Sequence, residues 1–162
     1  VSFGFDSAVT IATDAIDRLH STASSHQRVM AIEVMGHKAG WIALYSGMAG
    51  GGDVILIPEL SYDIHNIGNT IIERLKKGKP YSIVVVAEGI QTMDGKKAAE
   101  YIAQEIEYET GFETRETVLG YIQRGGSPTP YDRNLATRMG GHATELIASG
   151  QFGRMVSLQE LR

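Results

Sequence analysis

Two largely apolar runs constrain the fold more than any other feature of this sequence. Val29–Val34, which is apolar except for Glu33, and Ser82–Ala87 are rich in β-branched residues and lack the alternation of apolar and polar residues that a half-exposed strand shows. A strand that is apolar on both faces must be covered on both faces, as strands in parallel sheets are. Shorter or more polar runs predict further strands at Asp53–Pro58, Glu113–Leu119 and Met155–Leu158.

Helical patterns alternate with these strands. We expect helices at Ala8–Leu19, Trp41–Met48, Ile64–Lys77, Lys96–Thr110 and Pro130–Ser149. Asp6 or Ser7 is a suitable N-cap for the first helix, and a polar loop is expected at Ser21–Gln27. This alternation predicts an α/β fold, a three-layer, Rossmann-like domain in which helices cover both faces of a parallel sheet. No repeat or linker interrupts the pattern, so residues 1–162 are interpreted as a single domain.

Composition excludes several classes of protein. The net charge is −4, which argues against non-specific binding to nucleic acids or anionic membranes. No apolar run approaches the roughly 18–20 residues of a transmembrane helix. The chain has no cysteine, which excludes disulfides and thiolate metal sites and agrees with a cytoplasmic location. A G-x-G-x-x-G fingerprint, a Walker A loop and a G-x-S-x-G elbow are also absent from the sequence.

Residues suited to binding a phosphorylated sugar follow the predicted strands. Ligands of open parallel sheets bind beyond the carboxyl ends of the strands. Met35–Lys38 follows the first strand, Glu88 and Gly89 follow Ser82–Ala87, and Gly120–Gly126 follows Glu113–Leu119. Glu88 can accept hydrogen bonds from hydroxyl groups, and the planar guanidinium of Arg124 suits a phosphate. The same residues can also be read as turn glycines and exposed loop side chains, so this pattern alone leaves both interpretations open.

Several segments together resemble the 6-phosphofructokinases. They are Ala15–Leu19, Ser24–Arg28, Glu33–Gly36 and Thr117–Pro128, in this order. The last of them contains the string L-G-x-I-Q-R-G-G-S-P, which is highly specific, and the resemblance covers essentially the whole chain. It implies the C-terminal, fructose 6-phosphate-binding half of the phosphofructokinase fold.

The resemblance gives roles to individual residues. Met35 and Gly36 would lie along fructose 6-phosphate, and Glu88 would bind hydroxyl groups of the sugar. Arg124 would bind the 6-phosphate, with Tyr121 beside it, where many relatives carry histidine.

Three further residues complete the implied site. Arg28 and Arg115 would reach the phosphate from a neighbouring chain, so the resemblance implies a homo-oligomer. His37 stands where most relatives carry an arginine that contacts the transferring phosphoryl group, and it is a candidate for the same contact. No other catalytic residue and no metal ligand is expected in this chain.

The remaining chemistry would come from the half of the enzyme that precedes this segment. That half would carry the aspartate base, the glycine-rich loops for the phosphoryl donor and most ligands of Mg²⁺. The complete cytoplasmic enzyme would transfer a phosphoryl group from ATP to the 1-hydroxyl of fructose 6-phosphate in glycolysis, giving fructose 1,6-bisphosphate. The chain starts with Val1 and leads almost at once into a helix, which is typical of a cut segment, and we expect this chain alone to be inactive.

Two alternatives remain at this point. A pyrophosphate-dependent fructose 6-phosphate 1-phosphotransferase would share the sugar site and differ in its donor, which is chosen mostly in the other half. A non-catalytic, sugar-phosphate-binding regulatory subunit would keep the site without the reaction. The sequence does not distinguish these donors, and it does not give the oligomer size, the effectors or the physiological direction.

Overall fold

The computed structural model describes residues 3–92 and 95–158. The elements in chain order are α1 (Phe5–His26), β1 (Val29–Val34), α2 (Trp41–Ala49), β2 (Val54–Leu56), α3 (Ile64–Lys76), β3 (Ser82–Ala87), α4 (Ala98–Thr110), β4 (Thr114–Val118), a 3₁₀ helix (Gly120–Arg124) and α5 (Pro130–Ala148). No helix among the described residues is both long enough and apolar enough to cross a membrane.

The four strands form one parallel sheet in the order β2-β3-β1-β4. The central strands β1 and β3 have the bounds that the sequence predicts, and all of their residues are buried. They pair in register from Val29 opposite Ser82 to Val34 opposite Ala87. The two largely apolar runs are therefore the centre of the sheet, because only there are both faces of a strand covered.

Helices cover both faces of this sheet. On one face, Ile16 of α1 packs with Ile32 and Val85, and α2 contributes to the same core cluster. On the other face, Ile102 of α4 packs with Val84, and α3 contributes to that cluster. The structure confirms the predicted α/β class and the three-layer arrangement.

Three predictions about local structure are wrong. Asp6 and Ser7 lie inside α1, which begins at Phe5, so neither is its N-cap. The polar segment Ser21–Gln27 was expected as a loop, but α1 continues through it to His26. Ala23 lies seven residues after Ile16 on the same face of the helix, and both are fully buried, so packing overrides the weak helix propensity of the serines. The segment Met155–Leu158 has no regular secondary structure and pairs with no described strand. Met155 is 83% exposed, so this short apolar run is not a buried strand.

The chain divides into two compact units. The larger unit, Ala8–Gly126, contains the whole sheet and every predicted site residue. The smaller unit combines the described residues of 1–7 with those of 127–162 and contains α5. The interpretation of residues 1–162 as one domain stays a prediction.

One buried aspartate organises the smaller unit. Asp132, in the first turn of α5, is 4% exposed. Its carboxylate accepts hydrogen bonds from the backbone N–H groups of Gly4 and Ser7, both at 2.8 Å, and from the Ser7 hydroxyl at 2.6 Å. Burial by itself raises the pKa of Asp132, but these three hydrogen bonds outweigh it and hold the pKa below its usual value. The carboxylate therefore ties the chain around Gly4–Ser7 to the start of α5.

Candidate functional site

The carboxyl ends of β1, β3 and β4 meet at one edge of the sheet, because these neighbouring strands are parallel. Glu88 directly follows β3, and its N–H donates to the carbonyl of Val34 at 3.0 Å. Leu119 follows β4, and its N–H donates to the carbonyl of Glu33 at 3.0 Å. These bonds extend the ladder by one residue and bring the segments that begin at Met35, Glu88 and Gly120 to the same edge.

The Glu88 carboxylate is held in a fixed orientation. Its Oε1 accepts hydrogen bonds from the backbone N–H groups of Gly36 at 3.0 Å and His37 at 2.5 Å. Its Oε2 has no hydrogen-bond partner within the described part of the chain. One oxygen thus fixes the side chain to the loop after β1, and the other remains available to accept a hydrogen bond from a ligand.

Gly89 allows the loops after β1 and β3 to approach each other closely. A Cβ atom at Gly89 would lie 2.4 Å from the carbonyl oxygen of His37, a distance that no side chain tolerates. His37 itself has a left-handed backbone with φ of 55°, which is uncommon for a residue other than glycine. The N–H of this residue donates to Glu88, so the loop after β1 both approaches β3 closely and holds the carboxylate.

Gln123, to which the sequence reading gave no role, connects the loop after β1 with the 3₁₀ helix. It is 4% exposed, and its Oε1 accepts a hydrogen bond from the N–H of Met35 at 2.7 Å. Because only the amide oxygen can accept from an N–H group, this bond also fixes the orientation of the amide. Its Nε2 is buried and has no partner among residues 3–92 and 95–158. Gln123 belongs to the specific string noted in the sequence, but its burial depends on a contact 88 positions away.

These residues surround a cavity of about 270 Å³. Its lining includes Met35, Gly36, His37, Glu88, Gln123 and Arg124, together with Ala8 and Ile42. Arg124 is exposed, and its guanidinium carbon lies 5.4 Å from the centre of the Tyr121 ring, within the range of a cation–π contact. A carboxylate with a free oxygen and an exposed guanidinium therefore line the same opening, with an aromatic ring beside the cation.

Arg28 and Arg115 lie elsewhere in the chain. Arg28 precedes β1, and Arg115 is the second residue of β4, so both are near the amino ends of the strands, away from the carboxyl edge. Both contact the carboxylate of Glu113. Within one chain the structure brings together Met35, Gly36, His37, Glu88, Tyr121 and Arg124, and it does not bring Arg28 and Arg115 to them. That these two arginines serve the site of a neighbouring chain stays a prediction.

The described residues form no metal-binding cluster of their own. Among residues 3–92 and 95–158, no group of three histidine, aspartate or glutamate side chains lies close enough to hold a metal ion. One oxygen of the Glu88 carboxylate accepts from two backbone N–H groups, and Arg124 lines the same cavity.

Comparison with known proteins identifies the family. The family model for phosphofructokinase matches residues 1–147. A Bacteroides thetaiotaomicron protein, ATP-dependent 6-phosphofructokinase 3, is 86% identical over 159 residues, which are 98% of this chain and 47% of the relative. A Streptomyces coelicolor protein, pyrophosphate–fructose 6-phosphate 1-phosphotransferase, is 49% identical over 98% of this chain and 51% of the relative. The chain thus spans about half the length of the curated relatives it matches.

Solved structures give the same result. The phosphofructokinase of Saccharomyces cerevisiae matches with a TM-score of 0.82 and 31% identity, over 92% of this chain and 20% of that chain. The pyrophosphate-dependent phosphofructokinase of Marinobacter aquaeolei matches with a TM-score of 0.75 and 26% identity, over 90% of this chain and 39% of that chain. The specific string, the parallel sheet and the family match agree, and this chain belongs to the phosphofructokinase family.

Proposed function

We propose that this chain is the fructose 6-phosphate-binding half of an ATP-dependent 6-phosphofructokinase. The observation that carries the proposal is the cavity at the carboxyl edge, where the free oxygen of Glu88 and the guanidinium of Arg124 line one opening. The 86% identical relative from Bacteroides thetaiotaomicron, which is named as an ATP-dependent enzyme, supports the choice of donor.

The residues of the cavity have complementary roles in this proposal. The Oε2 of Glu88 accepts hydrogen bonds from hydroxyl groups of the sugar, while Met35 and Gly36 line its path. Arg124 binds the 6-phosphate through charge-assisted hydrogen bonds, each contributing about 1.5–3 kcal/mol. Tyr121 supports the Arg124 guanidinium through the contact between cation and ring.

The proposed site is completed by a second copy of the chain. Arg28 and Arg115 are near the amino ends of the strands, so they can reach a phosphate at the carboxyl edge only from a neighbouring chain. This geometry supports a homo-oligomer in which Arg28 and Arg115 of one chain join Arg124 of the next. Three guanidiniums around one phosphate dianion make affinity depend on assembly.

The reaction itself requires residues outside this chain. In the proposed enzyme, a general base within hydrogen-bond reach of the 1-hydroxyl accepts its proton, and the oxygen attacks the terminal phosphorus of ATP in line. The bond from that phosphorus to the bridging oxygen breaks on the opposite side, and ADP leaves. The base, the donor loops and the ligands of Mg²⁺ belong to the other half. His37 lines the cavity and is the candidate contact for the transferring group. We place the enzyme in the cytoplasm, where glycolytic fructose 6-phosphate is available.

The experiment uses the completed enzyme, in which this chain's own N-terminal half precedes it, because in this proposal that half chooses the phosphoryl donor. We expect the completed enzyme to form fructose 1,6-bisphosphate with ATP and Mg²⁺, and to use pyrophosphate at less than about one hundredth of that rate, a difference of roughly 2.7 kcal/mol in activation free energy. The chain alone should show no turnover, because it carries no general base for the 1-hydroxyl. A coupled assay of fructose 1,6-bisphosphate measures all three rates.

The alternatives predict different results in this assay. The Streptomyces coelicolor relative is named as a pyrophosphate–fructose 6-phosphate 1-phosphotransferase. Pyrophosphate is therefore the second candidate for the phosphoryl donor of this enzyme. Faster turnover with pyrophosphate than with ATP would favour it. Binding of fructose 6-phosphate without turnover by the completed enzyme would favour a regulatory subunit. Turnover by the isolated chain would contradict the proposal that the catalytic base and the donor loops belong to the other half.

Gln123 provides a further test of the site. In Gln123→Met, the N–H of Met35 loses its acceptor, but the buried and unpaired Nε2 also disappears. These effects oppose each other, so we expect the free energy of unfolding to change by less than about 1 kcal/mol. Affinity for fructose 6-phosphate should fall by about tenfold, because Met35 and Gly36 are no longer held against the 3₁₀ helix. Thermal unfolding measures the change in stability, and calorimetry measures the change in affinity for fructose 6-phosphate. A variant that loses stability but keeps this affinity would contradict the proposed role of Gln123.

A further inference from the structure

The register of the sheet places Arg28, Glu113 and Arg115 next to one another. β1 and β4 are adjacent and parallel, with Val29 opposite Thr114, and the N–H of Val29 donates to the carbonyl of Glu113 at 3.1 Å. Arg28 and Glu113 therefore stand side by side just before their strands begin. Thr114 is 4% exposed and points to the interior. Side chains alternate along a strand, so Glu113 and Arg115 lie on the other face from Thr114, and their side chains are 44% and 59% exposed.

One carboxylate bridges the two guanidiniums. Oε1 of Glu113 accepts from Nε of Arg115 at 2.9 Å and lies 2.8 Å from its Nη2. Oε2 of the same carboxylate lies 3.4 Å from Nη2 of Arg28. Each oxygen of Glu113 contacts one arginine, so the three side chains form a single cluster, which we call the Glu113 bridge.

Arg28 is also constrained from its other side. Its side chain is only 23% exposed, and its Nε is buried without a partner in the described parts of the chain. It lines a cavity of about 260 Å³ beside Tyr81 and Phe112. The aliphatic part of the Arg28 side chain is thus enclosed, and the contact with Glu113 orients its terminal nitrogens.

The Glu113 bridge leaves both cations able to bind an anion. Nη1 of Arg28 and Nη1 of Arg115 have no hydrogen bond to the described residues. Two guanidiniums that share one carboxylate repel each other, and the carboxylate between them offsets the repulsion and restricts their rotamers. The cluster keeps a net charge of +1 and presents two donor groups that are already oriented. Groups held in their binding orientation lose less entropy when a ligand binds.

We propose that Glu113 is a positioning residue, whose carboxylate holds Arg28 and Arg115 as a pair for the 6-phosphate of fructose 6-phosphate in the neighbouring chain. This inference rests on the proposed function, which assigns the two arginines to that phosphate. It adds a residue that touches neither the substrate nor the reacting atoms and acts only through the two guanidiniums.

The test is Glu113→Gln in the completed enzyme. We expect the dissociation constant and the KM for fructose 6-phosphate to rise by about fivefold, near the upper limit for an exposed ion pair. The value of kcat at saturating substrate should stay within about twofold, because the bridge is remote from the reacting hydroxyl. Glu113→Asp keeps a carboxylate on a shorter stem and should recover part of the affinity. Unchanged or tighter binding in Glu113→Gln would overturn the proposal.

A double-mutant cycle distinguishes positioning from a general structural effect. In an Arg115→Ala background one of the two guanidiniums is already gone, so Glu113→Gln should weaken binding by less than about twofold. If its effect is the same in both backgrounds, Glu113 does not act through Arg115, and the proposal is wrong.

The same variants separate this inference from the proposed function. If Arg28→Ala and Arg115→Ala both leave the affinity for fructose 6-phosphate unchanged, the shared phosphate site and the bridge fail together. If both weaken it while Glu113→Gln does not, the shared site stands and the positioning role of Glu113 is refuted.

Discussion

Replacing Arg124 with alanine is expected to weaken the binding of fructose 6-phosphate by at least about 100-fold. A guanidinium that grips a phosphate with two charge-assisted hydrogen bonds contributes roughly 3 kcal/mol or more, and 1.4 kcal/mol corresponds to a factor of ten. Arg124 is the cation that lines the cavity together with Glu88, so within the described chain no neighbouring guanidinium replaces it. Arg28 and Arg115 lie near the other ends of the strands. In Arg124→Ala they still contribute their own hydrogen bonds to the phosphate, but they do not replace those of Arg124.

Calorimetry of the completed enzyme with fructose 6-phosphate measures this loss. Arg124→Lys should give an intermediate affinity, because an ammonium keeps the charge and loses the planar pair of donors. Arg18→Ala is the matched control, since Arg18 is an exposed arginine of α1 that does not line the cavity. Thermal unfolding of both alanine variants should match the parent, because both side chains are exposed. Unchanged affinity in Arg124→Ala would remove the phosphate site from this edge of the sheet.

The parts of the fold that could be predicted are those fixed by local patterns. The bounds of β1 and β3 follow from largely apolar runs, and α5 begins at Pro130, whose missing N–H suits the first turn of a helix. The extension of α1 to His26 could not be predicted, because it depends on Ala23 meeting a core that the sequence does not display. The same limit explains Met155–Leu158, which has the composition of a strand and no strand beside it.

The candidate site was predictable in position and less so in detail. The rule that ligands bind beyond parallel strands selects Met35, Glu88 and Arg124, and the parallel sheet brings them to one edge. What fixes these side chains is non-local. The N–H groups that hold Glu88 are about fifty positions away in sequence, and Gln123 contacts Met35 from 88 positions away. Such pairings follow from the register of the whole sheet, which no local pattern encodes.

The largest loss of stability is expected from Asp132→Ala. The substitution leaves the N–H groups of Gly4 and Ser7 and the Ser7 hydroxyl without their acceptor, in a place where Asp132 is 4% exposed. Three donors that lose a charged partner in a partly buried site destabilise a protein by about 3 kcal/mol in total. Hydrogen exchange of the completed enzyme should show faster exchange at Gly4 and Ser7 and in the first turn of α5. Asp17→Asn, which changes an exposed aspartate of α1, is the control and should exchange like the parent.

The same carboxylate gives the smaller unit a defined pH dependence. The folded-state pKa of Asp132 is lowered, because the hydrogen bonds from Ser7 and Gly4 outweigh the effect of burial. A group of this kind stabilises the folded state above its unfolded pKa of about 3.9, and that contribution is lost as the pH falls through the lower folded value. Protection of Gly4 and Ser7 should therefore hold at neutral pH and decline in acid. In Asp132→Asn this acid-dependent part should vanish, because the amide does not titrate. An equally steep acid decline in Asp132→Asn would show that another group controls it.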